Sequence, residues 1–221
     1  MKNTSKDTHD EGYSREDAYE IEKEKHLWRT RDSKIGIDSI WNTLYTHDDK
    51  HGYLMDEHPD IKTLVDIGSG TGWFVNYAKT YRDFKIIYGI EPSTYAVNIG
   101  KKIYGETNGI NYINNYAEDA LLEIKLNEPT LFTTFIVLSH LEDNSVSSIL
   151  TNMNKIAPYG SIFYFNEMYG PTYQQPLWNC RTKEWWKSFL DEWELTFYTD
   201  SNNFLGVDRF KGISGVKKIK L

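Results

Sequence analysis

From residue 61 onward, short runs of β-branched and aromatic residues alternate with amphipathic segments of helical length. The strand-like runs are "TLVDIG", "KIIYGIE", "INYINNY", "LFTTFIVLS", "SIFYFNE" and "ELTFYTD", and the closing stretch "GVDRFKGISGVKKIK" reads as a seventh. Between them lie helical segments from Trp73 to Tyr81, from Ser93 to about Gly105, "EDALLEIK", "SVSSILTNMNKI" (stopped by Pro158 and Gly160) and "TKEWWKSFLDEW". Strands that alternate with helices pair in parallel, because each helix carries the chain back across one face of the sheet. The expected fold is therefore α/β: a doubly wound, mostly parallel sheet with helices on both faces. The last two strands are joined only by a short link containing "SNNFLG", too short for a helical crossover, so they should pair antiparallel.

The preceding segment reads differently. Residues 1 to about 13 are polar. "SREDAYEIEKEKHLWRTR" predicts a helix, with Ser14 as its cap and Glu16 and Asp17 at its positive end. "IGIDSIWNTLYTH" predicts a second helix, followed by a polar link with Gly52 and Pro59. The division that follows is an N-terminal helical lid over residues 1–60 and a main domain over 61–221. With a net charge of −7 and a pI near 5.4, the chain is not expected to bind nucleic acid or an anionic membrane surface. Cys180 is the single cysteine, so neither an internal disulfide nor a cysteine-rich zinc site can form. No apolar run approaches the roughly 18 residues that span a bilayer, and "MKNTSKDTHDEGYSRED" lacks the apolar stretch of a secretory signal. The expectation is a cytoplasmic protein; the sequence carries no signal for its oligomeric state.

A ligand site is expected where "DIGSGTGW" links the first strand to its helix, a turn that lies at the carboxyl edge of such a sheet. Gly68, Gly70 and Gly72 do not fit the G-x-G-x-x-G spacing that cradles a pyrophosphate, and no Gly-Lys-Ser/Thr follows as in a P-loop. A carboxylate at Asp66 attracts an ammonium group instead. Glu91, at the end of the second strand, can accept hydrogen bonds from two ribose hydroxyls. The ligand that fits both ends has an ammonium and a ribose and no phosphate.

"LVDIGSGTGWF", "YGIEPS", "NYAEDALLEI", "FIVLSHLED" and "KIAPYGSIFYFNE", in that order, resemble the successive motifs of the class I methyltransferases dependent on S-adenosylmethionine. The resemblance spans roughly residues 61 to 200. It implies a seven-stranded sheet with an antiparallel final strand and S-adenosylmethionine as cofactor. It also implies that Asp66, Gly68, Ser69 and Gly70 line the methionine portion and that Glu91, with Pro92 beside it, holds the ribose. Ala117 and Glu118 would flank the adenine, and Leu138 and Ser139 would lie beside the sulfonium. One departure is Tyr116, which stands where the family often has an acidic residue.

The acceptor is less legible. "LSHLED" lacks the Pro-Pro segment of amino-methylating DNA enzymes of this fold, and Cys180 lies in the wrong place for a cytosine C5 nucleophile. His140, at the mouth of the fourth strand, titrates near neutrality and suits a general base; the alternative is a histidine that only shapes the loop. Asp143 and Glu167 are weaker candidates, each expected to be solvated or capping. No metal is expected, because Ser139 and Asn166 interrupt the acidic set of metal-dependent relatives; were magnesium used, Glu142, Asp143 or Glu167 would supply its oxygens. "YFNEMYGPTYQQPLWNCRTKEWW" is the expected acceptor region, rich in aromatic residues. Arg29, Arg31 and Arg181 could steer an anionic acceptor. The leading reading is O-methylation of a small molecule, a sugar or glycan or another hydroxylated metabolite. N- or carboxyl-methylation of a metabolite or protein, a catalytically silent cofactor-binding subunit and a nicotinamide oxidoreductase remain as alternatives.

Overall fold

The computed structural model describes residues 58–104, 109–167, 169, 173–175, 178–197 and 211–217. The two expected N-terminal helices and the lid they would form lie outside these residues. The main sheet contains β1 (Thr63–Ile67), β2 (Ile86–Ile90), β3 (Asn111–Ile113), β4 (Thr130–Phe135), β5 (Ile162–Glu167), β8 (Trp193–Phe197) and β9 (Lys211–Lys217). Two further strands, β6 (Tyr173–Gln175) and β7 (Trp178–Cys180), pair with each other as a separate hairpin. The helices are α1 (Trp73–Tyr81), α2 (Thr94–Tyr104), α3 (Ala117–Glu123), α4 (Asp143–Ile156) and α5 (Lys183–Phe189).

The seven strands are ordered β3-β2-β1-β4-β5-β9-β8. β1 to β5 pair in parallel, and β9 runs antiparallel to both β5 and β8. The chain thus reverses its winding direction beside β1, and β1 and β4 become neighbours whose carboxyl ends open a crevice.

Side chains alternate across each strand, so each buried strand feeds two cores. Leu64, Leu131 and Ile162 pack with Phe74, Val75 and Ala78 of α1 on one face. Val65, Ile67, Phe132, Phe163 and Phe165 pack with α3, α4 and Trp186 of α5 on the other. The α4 sequence shows why it lies there. Val146, Ile149, Leu150 and Met153 recur at helical spacing and are fully buried, each worth roughly 1.5–3 kcal/mol. At its end the buried Lys217 ammonium donates to the carbonyls of Asn154 and Ala157, which a helix terminus leaves without partners. No helix among the described residues is long and apolar enough to cross a membrane.

Several elements end earlier than their sequence suggests; β3, expected through "INYINNY", stops at Ile113. The strand expected through "LFTTFIVLS" stops at Phe135, where Ile136 takes a left-handed φ of 58°. The helix expected through "TKEWWKSFLDEW" is capped by the Thr182 hydroxyl, which accepts from the Trp185 amide at 3.1 Å, but stops at Phe189. Trp193 instead opens β8, where its ring meets Phe163 edge-on at 5.0 Å. Burial of that ring in the sheet core outweighs continuation of the helix.

Candidate functional site

The crevice begins with the glycine turn. The amides of Gly68 and Ser69 both donate to the Ile90 carbonyl, at 2.8 and 2.9 Å, which ties the turn to the end of β2. Gly68 has φ of 73°, and a β-carbon there would collide with the Val137 side chain. At Gly72, with φ of 81°, it would collide with Tyr112. Only glycine permits both the backbone conformation and the approach. The turn is thus packed between β2 and the segment that follows β4.

Two carboxyl groups flank it. Asp66 is buried, and the Thr133 hydroxyl of β4 donates to it at 2.7 Å. Burial pushes the Asp66 carboxyl up to about 7; the Thr133 bond opposes this and the nearby Glu91 carboxylate adds to it. The charge that acts on it is therefore another anion. Glu91 is also buried, and its oxygens accept from the amides of Gly70 at 2.9 Å and Ser93 at 2.8 Å. A carboxylate offers about four acceptor positions, and these amides take one on each oxygen. Asn114 fixes this corner by donating to the carbonyls of Glu91 and Pro92, both at 2.9 Å.

These residues fit a ligand with an ammonium and a ribose. A buried carboxyl beside a second carboxylate is stabilised in its charged form by an added cation. The Ser69 hydroxyl, 3% exposed, has no hydrogen-bond partner among the described residues, and an orphan of this kind costs about 1–3 kcal/mol until something polar meets it. Ala117 and Glu118 are half-buried and open α3, directly after the extended Tyr116.

The segment after β4 forms the opposite wall. Ile136 is a β-branched residue in the left-handed region, a conformation that costs of the order of 1–3 kcal/mol. Its amide donates to the Asn166 carbonyl at 2.9 Å. A single 3-10 turn, Leu138–His140, follows. Leu138 and Ser139, expected beside the sulfonium, turn their side chains inward: Leu138 into the core, Ser139 onto Glu167 at 2.6 Å. What remains half-exposed at this wall is Ile136, Val137 and His140.

Two residues read as peripheral in the sequence organise this wall. Glu167, expected to be either solvated or capping, takes the capping role. It is fully buried at the end of β5 and accepts from the Thr134 and Ser139 hydroxyls and from the amides of Val137, Leu138 and Ser139, all within 3.0 Å. Arg181 is not an exposed steering charge. It is 4% exposed and donates to the Leu138 carbonyl at 2.7 Å, the Leu141 carbonyl at 2.6 Å and Asp143 at 2.8 Å, with its guanidinium over the Trp185 ring. Arg29 and Arg31 lie outside the described residues. Among the described residues no group of three or more His, Cys, Asp or Glu side chains is gathered to hold a metal ion. Cys180 is half-buried on β7, and its neighbour Asn179 donates to the Leu141 carbonyl at 3.0 Å, which brings the expected acceptor segment against the same wall.

Residues 65–165 match the family model of a methyltransferase domain. No curated protein sequence matches the chain. Among solved structures, magnesium protoporphyrin IX methyltransferase from Synechocystis PCC 6803 with bound S-adenosylmethionine superposes with a TM-score of 0.63 at 13% identity, covering 98% of this chain and 100% of that one. Geranyl diphosphate C-methyltransferase from Streptomyces coelicolor A3(2) gives 0.60 at 11% identity, covering 77% of each chain. Phosphoethanolamine N-methyltransferase 2 from Haemonchus contortus gives 0.56 at 10% identity, covering 72% of this chain; the present chain spans only about half that enzyme, 49%. At these identities the likeness concerns the fold. With the strand order it shows that this chain has the fold of these solved methyltransferases, and the family match places a methyltransferase domain over residues 65–165.

Proposed function

We propose that the chain transfers a methyl group from S-adenosylmethionine to a hydroxyl of a small molecule, a sugar or another hydroxylated metabolite. The observation that carries the cofactor half is the pair of buried carboxyls at the crevice: Asp66 beside the Glu91 carboxylate, and Glu91 braced by two amides. In this reading Asp66 takes the ammonium, Glu91 the ribose hydroxyls, Ser69 a polar atom near the methionine, and Ala117 and Glu118 the adenine edge. When bound, S-adenosylmethionine supplies a methyl group activated by a positive sulfur. The protein's task is then to align the acceptor, which can be worth on the order of 7–11 kcal/mol, and to take up its proton. His140 is half-buried on the wall beside the hairpin, and it serves as the base, worth roughly 10²–10⁴ in rate.

The acceptor assignment is tested by incubating the protein with S-adenosylmethionine labelled in its methyl group and panels of sugars, sugar phosphates, phenols and short peptides. Label appearing in an alkali-stable ether of a sugar or related alcohol supports the proposal. Label found only in amines or esters moves the activity to nitrogen or carboxyl acceptors.

A further inference from the structure

The wall after β4 does not owe its shape to its own sequence. Ile136 is β-branched at φ of 58°, and the segment beyond it makes one short turn, so its amides and carbonyls must be met from elsewhere. They are met by two opposite charges. Glu167, reaching from the end of β5, collects the amides of Val137, Leu138 and Ser139. Arg181, at the foot of the β6–β7 hairpin, collects the carbonyls of Leu138 and Leu141 and pairs with Asp143 at the start of α4. Val137 then fills the space left by Gly68 in the glycine turn. An anion and a cation thus grip the same backbone from opposite ends of its peptide dipoles, and the gripped segment touches the turn expected to hold the methionine.

We propose that Glu167 and Arg181 are positioning residues that hold residues 136–143, and through Val137 and His140 the methyl-transfer edge, in a strained conformation the segment would not keep alone. This inference rests on the reading of the crevice given under Proposed function. It adds that the hairpin of the acceptor region and the cofactor turn are mechanically joined through Arg181, Leu138 and Val137. Neither residue need touch cofactor or acceptor.

The test uses the full chain with S-adenosylmethionine carrying carbon-13 in its methyl group, whose bound NMR signal reports the surroundings of that methyl. Three variants are compared with the parent: Glu167→Gln, Arg181→Lys and Asp143→Asn. Glutamine keeps one acceptor but turns a donor toward the amides or hydroxyls. Lysine keeps the charge but loses the planar fork. Asp143 has an exposed side chain, 66%, so Asp143→Asn keeps the experiment decisive if either buried substitution prevents folding. The expected result is that folded variants still bind S-adenosylhomocysteine with little change in affinity. Their bound methyl signal shifts or broadens, and the amides of residues 137–139 exchange faster with deuterium. With the acceptor found in the labelled-methyl panel, kcat falls by roughly 10²-fold for Glu167→Gln while KM for the methyl donor is nearly unchanged. A parent that gives no bound methyl signal sinks the crevice reading itself. A parent that gives one, with every folded variant matching it in methyl signal, amide exchange and kcat, overturns the positioning role alone.

Discussion

Replacing Asp66 with asparagine should stabilise the protein while impairing it, and the gain should grow with pH. The Asp66 carboxyl loses its proton near pH 3.8 in the unfolded chain but only at about 7 in the folded one, because it is buried beside a second carboxylate. Between those values the folded state binds more protons than the unfolded state, so stability falls as pH rises, and it levels off above the folded value. The slope is at most about 1.4 kcal/mol per pH unit. From about pH 5 to above 8, roughly two units of that window are crossed, a loss of at most about 3 kcal/mol. Asparagine is the neutral isostere: it can still accept from Thr133 and has no proton to lose. For a chain of this size about 1 kcal/mol moves Tm by roughly 2–4 °C, so the melting temperatures of variant and parent should diverge by several degrees across the range. Thermal melts of both proteins without ligand, in matched buffers, measure this directly. A gap that stays constant with pH, or one in which the parent gains on the variant as pH rises, would refute the assignment of an uncompensated buried carboxyl.

Further expectations concern other parts of the crevice. His140→Ala should lower turnover by roughly 10²-fold or more and leave S-adenosylhomocysteine affinity nearly intact, measured by steady-state kinetics and calorimetry; near-parent turnover would remove the histidine as base. EDTA should leave activity intact, since the Glu167 oxygens are already taken by the wall; loss restored by magnesium would overturn that. Gly68→Ala should destabilise by roughly 1–3 kcal/mol, read from urea unfolding, because alanine must adopt a φ of 73° and displace Val137.

The sheet was legible because its strands are short apolar runs and its helices carry clear periodicity, as in the Val146, Ile149, Leu150, Met153 stripe of α4. The early end of β4 was not, because Ile136 is a residue type that local preference assigns to a strand, and the hydrogen bonds of Glu167 and Arg181 hold the backbone after it away from one. The same holds for Trp193, which reads as the next turn of a helix until the core that receives it is in place. Within the site, the glycine turn and its two acids announce themselves by spacing. Glu167 and Arg181 carry no local signal: the wall groups they hold lie 28 or more residues away in sequence, and an isolated charge reads as solvated until its partners are placed around it. The inward turn of Leu138 and Ser139 follows from the same hidden grip.

The proposed binding of S-adenosylmethionine in the crevice rests on Asp66 and Glu91. Calorimetric titration with S-adenosylhomocysteine, against the parent and Glu91→Ala, tests it most directly, with NADH as the control ligand. Saturable binding to the parent is expected, with none of NADH and a loss in Glu91→Ala of roughly 1.5–3 kcal/mol for each charged hydrogen bond to the ribose, the variant still being folded. A parent that ignores S-adenosylhomocysteine, a parent that prefers NADH, or a Glu91→Ala variant that binds as tightly as the parent would contradict it.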